Sequence, residues 1–324
     1  MTPKQNTHER ACFILNPRSG GGRTGGRESA LRQEVSRWFA QGEVRTTEAA
    51  GHGTELARRA VDEGFDVVAA VGGDGTAHEV VNGLVEAGVA RREGVVFAVI
   101  PAGTGSDLVR TLRMPSRLEE AVATVAHGRT LHADLVSATV RGPDGPLAST
   151  CVNVAGFGLN GDVVSRVNQS NKRLGGTITF AAATARTLAS YRAPVVHLSW
   201  TDTRGEEASW SGPIFAVFLA NGAYCGGGMW LGRGGAMNDG AIDLTIIPEL
   251  SWAQVLTGAP RLFTGTIAEV PGVVRVAVRS LRATSAQDVR VDLDGEQPGT
   301  LEATFQLVPK VLPIRAVWED PRRS

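Results

Sequence analysis

The residues best suited to chemistry lie in the stretch AAVGGDGTAHEVVNGL, which runs from Ala69 to Leu84. A glycine turn after a buried strand lets backbone amides approach an anion without interference from a Cβ atom, and the next helix adds its positive end. Asp74 is the exception, because a carboxylate repels a phosphate unless Mg²⁺ lies between them. The stretch therefore predicts a site for a metal-bound nucleotide. A tight strand–helix turn capped by Asp74 explains an isolated Gly-Gly-Asp-Gly equally well.

Two further loops of the same kind follow aliphatic runs: NPRSGGG at residues 16–22 and PAGTGSD at residues 101–107. Three loops rich in Gly, Ser and Thr at the ends of three strands favour a nucleotide site over an isolated turn. The Gly-Lys-Ser/Thr element of a Walker A loop is absent, and so is a complete GxGxxG fingerprint with its partner acid. Asp107 also needs no function if it caps the helix that follows.

The elements around these loops change character near residue 130. Up to there, continuous aliphatic strands alternate with helical patterns, which predicts a parallel sheet covered on both faces with its ligand at the carboxyl ends of the strands. Afterwards, short alternating segments predict an antiparallel sandwich or barrel, with helices expected at residues 177–192 and 251–263. We expect an α/β N-terminal domain with a parallel sheet at 1–131 and a β-rich antiparallel sandwich at 132–309. Residues 310–324 could end on either domain and could pack back on the first.

Composition limits the class of protein. The 324 residues carry 33 basic and 33 acidic side chains, so no excess of one charge indicates a nucleic-acid partner. Cys12, Cys151 and Cys225 are odd in number and far apart, which predicts neither disulfides nor a metal set and favours a reducing cytoplasm. The first residues lack the apolar core of a signal peptide, and no run approaches the roughly 18 apolar residues of a membrane span. A lipid substrate would therefore have to be reached from outside the membrane.

The three loops, in this order, resemble blocks of the diacylglycerol kinase catalytic domain, and most closely those of the soluble bacterial diacylglycerol and lipid kinases. Three later segments follow in the family's order: CVNVAGFGLNGDVV, NGAYCGGGMWLGRGGAMNDGAIDLTII and VDLDGE. The resemblance thus spans about residues 13–308 and implies a fold like that of the NAD and diacylglycerol kinases. The GGDGT motif alone is less specific, because it is shared with NAD kinases and resembles the GGDG of phosphofructokinases.

The resemblance also implies roles for individual residues. Glu296 would be the general base that takes the proton from a lipid hydroxyl, and Asp294 would orient it or hold metal; an acidic β-turn is the alternative for both. Asp74 would act in catalysis and in nucleotide binding, and Glu79 would face the metal of the phosphates. The implied ATP-site residues are Asn16, Pro17, Arg18, Ser19, Gly20, Thr47, Gly72, Gly73, Asp74, Gly75, Thr76, Ala77, His78, Glu79 and Thr104.

A structural Mg²⁺ site is implied at GGAMNDGAIDL, where the Asp239 carboxylate and the carbonyls of Ala236 and Ala241 would bind the ion. Asn-Asp-Gly is an equally good turn signal without metal. Two positions depart from the family: Ser106 stands where Asn is usual, and residues 232–235 lack a proline often found there.

These inferences together predict a two-domain lipid kinase that depends on ATP and Mg²⁺ and converts diacylglycerol to phosphatidic acid in phospholipid biosynthesis. Mg-ATP would bind the N-terminal domain, and the lipid a cleft into which Glu296 reaches. The protein would be cytoplasmic and peripheral at the inner membrane face, with Trp210, Trp230 and Trp252 either anchoring it there or belonging to the sandwich; a homodimer stays open. The alternatives are a kinase for NAD or another small alcohol, and a catalytically silent regulator that binds nucleotide or lipid.

Overall fold

The computed structural model describes residues 5–22, 24–89, 94–102, 106–159, 191–232 and 236–317. The chain divides into two compact units, one formed by Met1–Ala133 with Lys310–Ser324 and the other by Asp134–Pro309. The helix expected at 177–192 falls almost entirely outside the described residues. In the part of the chain that is described, no helix is long and apolar enough to cross a membrane.

Strands and helices alternate in the first unit. Buried aliphatic residues fill its strands, and every residue of the third strand is buried. The elements are β1 (Asn6–Leu15), α1 (Glu28–Trp38), β2 (Phe39–Thr46), α2 (His52–Asp62), β3 (Val67–Gly72), α3 (Asp74–Glu86), β4 (Val96–Pro101), α4 (Asp107–Thr111) and α5 (Leu118–His127).

The strand register of this unit brings three loops to one edge. β1 pairs in parallel with β2 and β3, and β3 pairs in parallel with β4. Leu15 lies opposite Val71, and Val71 opposite Ile100. The segments that leave β1, β3 and β4 therefore emerge side by side, since parallel strands that are in register end together.

The second unit consists mainly of antiparallel strands around one large core, in which Phe157 and Phe305 stack with ring centroids 6.2 Å apart. The helix predicted at 251–263 is confirmed as α6 (Trp252–Thr264). The strands are β5 (Arg129–Gly142), β6 (Gly145–Cys151), β7 (Val154–Gly158), β8 (Val195–Asp202), β9 (Glu207–Ala220), β10 (Tyr224–Cys225), β11 (Met229–Trp230), β12 (Ile242–Pro248), β13 (Val274–Thr284), β14 (Arg290–Leu293) and β15 (Glu296–Ala316), of which β5 and β15 extend past the boundaries of the unit.

The predicted fold class, a parallel-sheet α/β domain beside a separate antiparallel sandwich, is wrong. Thirteen strands form one hydrogen-bonded series, most pairings in it are antiparallel, and strands make up 46% of the described residues. The series closes on itself as a barrel, because β12 pairs with both β13 and β9, and β8 pairs with the same two strands. The long strand β15 joins the parallel strands to this series: it is antiparallel to β13 and β14, and further on Ile314 pairs in parallel with Phe97 of β4.

Candidate functional site

The loop after β1 is tied to the first turn of α3. The Asn16 side chain donates from Nδ2 to Thr76 Oγ1 at 3.1 Å and accepts at Oδ1 from the Arg18 amide at 3.0 Å. Its backbone N–H donates to the carbonyl of Val71 at 3.0 Å. Two of the predicted nucleotide contacts, Asn16 and Thr76, therefore touch one another directly.

Thr24 connects the same loop to the end of β4. It is fully buried; its hydroxyl donates to the carbonyl of Ala102 and lies 2.6 Å from the hydroxyl of Ser19, which donates to it. Between these anchors, Gly20 and Gly21 adopt positive φ angles of 59° and 71°, which glycine adopts without strain. Sequence reasoning missed Thr24, although a lone Thr between Gly and Arg residues in GRTGGR was a visible signal.

The start of α3 has the geometry of an anion site. A Cβ atom on Gly72 would lie 2.3 Å from Thr76 Oγ1, whereas the space beside Gly73 is open. The helix begins at Asp74, and in the described part of the chain no hydrogen bond engages the N–H groups of Gly75 or Thr76. Amides of a first helical turn without intrahelical partners attract negative charge, and the helix dipole adds to this.

Asp74 binds the neighbouring helix α4. Its Oδ1 accepts from Ser106 Oγ at 2.6 Å and from the Leu108 amide at 3.2 Å, and its Oδ2 accepts from the Asp107 amide at 3.1 Å. Ser106 also caps α4 by accepting from the Val109 amide at 3.3 Å. Ser106 is thus the cap, and Asp107 is the first helical residue. A serine that departs from the family pattern has a defined role here as both cap and donor to Asp74.

Glu79 lies at the contact between α2 and α3. Its two carboxylate oxygens accept from the amides of Gly51 and Gly53, each at 2.9 Å, and so cap the N-terminus of α2. A Cβ atom on Gly53 would lie 2.6 Å from Glu79 Oε2, so the close approach requires glycine. The structure therefore gives the Glu79 carboxylate two backbone partners at the N-terminus of α2.

Of the other predicted residues of this unit, some lie on α3 and some directly after the strands β1 and β2. His78 is buried, with Nε2 3.2 Å from Nδ2 of Asn82, and Ala77 is fully buried beside it. Thr47 is buried, and its amide donates to the carbonyl of Leu15 at 2.8 Å. Pro17 lies on the loop after β1, and Thr104 lies outside the described residues.

In the second unit, a tight hairpin carries Glu296. Leu293 pairs with Glu296 across a two-residue turn in which Asp294 and Gly295 have φ angles of 54° and 92°. Asp-Gly is a favoured sequence for such a turn because both central residues need positive φ. The strand does not continue through the motif, so the two acids face different surroundings: Asp294 is buried and Glu296 is exposed.

The buried Asp294 carboxylate anchors the start of β7. Oδ1 accepts from the amides of Asn153 and Val154 at 2.9 and 3.1 Å, and Oδ2 accepts from the amide of Val152 at 2.9 Å. The Cys151 thiol donates to Oδ1 at 3.0 Å. Burial raises the pKa of this thiol, and the Asp294 charge raises it further, so the sulfur keeps its proton and can donate.

Two buried asparagines extend this anchor towards the predicted metal loop. The backbone carbonyl of Asn153 accepts from the Asn221 amide at 2.9 Å, and Asn221 Nδ2 donates to the carbonyls of Val152 and Asp134 at 2.8 Å each. Asp134 Oδ2 accepts from the Gly240 amide at 2.8 Å. A continuous hydrogen-bond network therefore connects the base of the Glu296 hairpin to the loop that contains Asp239.

The predicted metal loop offers oxygen donors. Asp239 is exposed and accepts from the Ala241 amide at 3.2 Å, and Ala236 and Ala241 are half-buried. The Oδ1 atoms of Asn153 and Asn221 are buried with no hydrogen-bond partner among the described residues. Over the same residues, no three His, Cys, Asp or Glu side chains form a metal cluster. The Asp239 carboxylate and the backbone carbonyls of Ala236 and Ala241, completed by water, are a donor set that fits a hard cation such as Mg²⁺.

Comparison with known proteins identifies the family. The model of the diacylglycerol kinase catalytic domain matches residues 10–138, and that of the YegS C-terminal NAD kinase beta sandwich-like domain matches residues 153–316. A Stenotrophomonas maltophilia protein named "Probable lipid kinase YegS-like" is 28% identical over 312 residues and 94% of each chain. The Bacillus subtilis diacylglycerol kinase is 27% identical over 298 residues, which are 92% of this chain and 93% of that one.

The fold has solved relatives as well. The crystal structure of a diacylglycerol kinase from Bacillus anthracis covers 95% of this chain and 97% of its own at a TM-score of 0.66 and 20% identity, a likeness that shows the fold alone. The two family models together match most of the sequence, and the second alone matches half of it. The chain therefore belongs to the bacterial diacylglycerol and lipid kinase family and is an enzyme of the phosphotransferase class.

Proposed function

We propose that this enzyme transfers the γ-phosphoryl group of ATP to a lipid hydroxyl, with diacylglycerol as acceptor and phosphatidic acid as product. The observation that supports this most strongly is the start of α3, where the Gly75 and Thr76 amides follow a glycine turn at the edge of the sheet. Membership of a lipid kinase family supplies the reaction class, and the relatives named diacylglycerol kinase supply the acceptor.

ATP would bind to residues 1–131, with 310–324 as part of the same domain. The Asn16–Thr76 and Thr24–Ala102 hydrogen bonds support this assignment, because they tie the loop after β1 to the start of α3 and to the end of β4. When bound, Mg²⁺ would neutralise negative charge on the phosphates, and Asp74 is the residue we propose to hold it. We also include Thr104 and the other ATP-site residues named in the sequence analysis among the proposed ATP contacts.

Glu296 would act as the general base towards the lipid hydroxyl, bound by residues 132–309. The two-residue turn fixes the backbone beside Glu296, and its exposed carboxylate would take the proton from a lipid hydroxyl bound next to it. Asp294 would serve as a positioning residue, because its carboxylate fixes the hairpin to the start of β7.

A second Mg²⁺ would bind at Asp239, with the carbonyls of Ala236 and Ala241, and would stabilise this loop. We further propose that the enzyme works in the cytoplasm as a peripheral protein of the inner membrane face, where it would contribute to phospholipid synthesis.

Phosphoryl transfer from labelled ATP to candidate acceptors in mixed micelles tests the proposal. Diacylglycerol, a sphingoid base and phosphatidylglycerol would be compared, with and without a Mg²⁺ chelator, and the products identified by mass spectrometry. The Glu296→Gln variant should lower the rate by about 10²–10⁴-fold, the usual contribution of a general base. Glu207→Gln, which changes an exposed glutamate on β9, is the matched control and should leave the rate unchanged.

Each alternative has its own result in this experiment. Labelled NAD or a labelled soluble alcohol, with no labelled lipid, would indicate a different acceptor class. ATP binding without transfer to any acceptor would indicate a silent regulator. A Glu296→Gln rate equal to that of the wild type would refute the assignment of the base.

A further inference from the structure

Helix α6 exposes a stripe of large apolar side chains. Trp252, Leu256 and Phe263 are 62%, 74% and 57% exposed. At 100° per residue their spacings of four and seven residues place them on one face of the helix. Large apolar residues that are exposed together indicate a contact surface, whereas single ones need no explanation.

The rest of α6 fixes the helix in place. Gly258 is buried on the opposite face, where an added Cβ atom would lie 3.2 Å from Val270 Cγ2. Ser251 and Gln254 form a reciprocal capping box at the N-terminus, and Arg261 pairs with Glu269 near the C-terminus. The stripe is thus presented by an anchored helix.

Charge is nearly absent from this segment. From Ser251 to Thr264 the sequence contains one charged residue, Arg261, which is bonded to Glu269. Trp230 adjoins the C-terminal end of α6: a Cβ atom on Gly265 would lie 3.1 Å from its indole, and it is 38% exposed. The exposed residues of the segment are all uncharged: Ser251, Trp252, Ala253, Leu256, Thr257, Ala259, Pro260, Phe263 and Thr264.

We propose that this face of α6 docks the enzyme on a lipid bilayer, with Trp252, Leu256 and Phe263 inserted at the level of the headgroups. The inference rests on the proposed function, which requires access to a substrate that resides in a membrane. Amphipathic helices with Trp, Phe and Leu on one face lie in the plane of the membrane interface in this way. Trp210, by contrast, packs partly buried against the core of the second unit.

The area of the stripe favours a membrane over a second copy of the chain. A whole aromatic side chain offers roughly 150–250 Å², so three partly exposed side chains offer on the order of 400 Å². A stable protein interface buries about 800 Å² on each partner. Insertion into a bilayer requires no such minimum area, because each apolar side chain adds to the free energy of binding as it leaves water.

Flotation of the full chain with phosphatidylcholine vesicles tests the inference. Replacing Leu256 and Phe263 by serine should lower the vesicle partition coefficient by about tenfold or more, because two of the three inserted side chains are lost. The matched control replaces Leu147 and Val195, two exposed apolar residues on β6 and β8, by serine and should bind as the wild type does. Since the stripe is uncharged, added salt or phosphatidylglycerol should change binding little.

Equal binding by the Leu256→Ser/Phe263→Ser variant and the wild type would overturn the inference. So would a dimer, measured by sedimentation velocity, that forms in the wild type and is lost in this variant, because the stripe would then be covered by a second copy.

Failure of docking and failure of the proposed function give different results. With a short-chain, water-soluble diacylglycerol, the variant should retain the wild-type rate, and its deficit should appear only with vesicle-embedded substrate. If the wild type phosphorylates neither substrate, the kinase proposal fails, while flotation still tests the docking surface.

Discussion

Replacing Asp294 by Asn would test whether the buried carboxylate holds the Glu296 hairpin. Asn is nearly the same size and tolerates the φ of 54° that Asp294 adopts, so the turn itself is preserved. The amide keeps its oxygen where Oδ1 accepts three hydrogen bonds and places its NH₂ group where Oδ2 accepts from the Val152 amide at 2.9 Å. If the Asn amide were rotated so that its NH₂ group replaced Oδ1, three hydrogen bonds would be lost instead of one.

The expected cost follows from these contacts. One charge-assisted hydrogen bond, worth about 1.5–3 kcal/mol, is replaced by two donors that face one another. The other three bonds weaken because a neutral amide oxygen is a poorer acceptor than a carboxylate. Together these changes should lower the free energy of unfolding by about 3 kcal/mol.

Urea unfolding measures this change, with fluorescence of Trp200 and Trp210 as a probe, because both pack against the core of the second unit. Asp144→Asn is the matched control: Asp144 lies exposed in the hairpin between β5 and β6, and its replacement should cost less than about 0.5 kcal/mol. If the Asp294→Asn variant unfolds at the same urea concentration as the wild type, the carboxylate does not anchor the hairpin.

Two further predictions concern the stability of the first unit. Arg315→Ala should lower the free energy of unfolding in urea by about 3 kcal/mol, because it breaks a nearly buried pair with Glu9 and leaves the Val125 carbonyl without its donor. The control, Arg282→Ala, breaks an exposed ion pair and should lower the free energy of unfolding by less than about 1 kcal/mol. Equal losses in the two variants would contradict this prediction. Burial raises the pKa of the Cys12 thiol from 9.0 to about 12. Between these values the unfolded chain releases a proton that the folded chain keeps, so stability should fall with rising pH by about 1.4 kcal/mol per unit. Cys12→Ala should remove that part of the slope, whereas parallel pH profiles for variant and wild type would show that Cys12 does not titrate as inferred.

The local features of the site were predictable from the sequence. Glycines after aliphatic runs predicted strand ends, and parallel pairing placed Asn16 and Thr76 close enough to form a hydrogen bond. The alternative interpretation of residues 292–296 (DLDGE) as a turn also depended only on neighbouring residues, and Asp294 and Gly295 do form a turn. Such inferences succeed because they depend on neighbours within a few residues.

The remaining features depend on partners far along the chain. Glu79 binds amides 26 and 28 residues earlier, and Asp74 binds the start of a helix 32 to 34 residues later. The hydrophobic periodicity of the sequence does not predict contacts between residues so far apart. The error in fold class has the same origin, because the pairings of β9 with β12 and of β13 with β15 close the sheet between distant segments.

These distant contacts indicate which acids matter for the stability of the fold. Asp74, Glu79 and Asp294 each accept two or more backbone amides, so their carboxylates hold helices and strands in place. Replacing any of these three carboxylates should therefore lower stability, because buried or partly buried amide donors would lose their acceptor. Glu296 instead projects exposed from a hairpin whose base is fixed by Asp294. If Glu296 is the general base, Glu296→Gln should lower the rate of phosphoryl transfer without lowering the free energy of unfolding, whereas replacement of Asp294 should lower both.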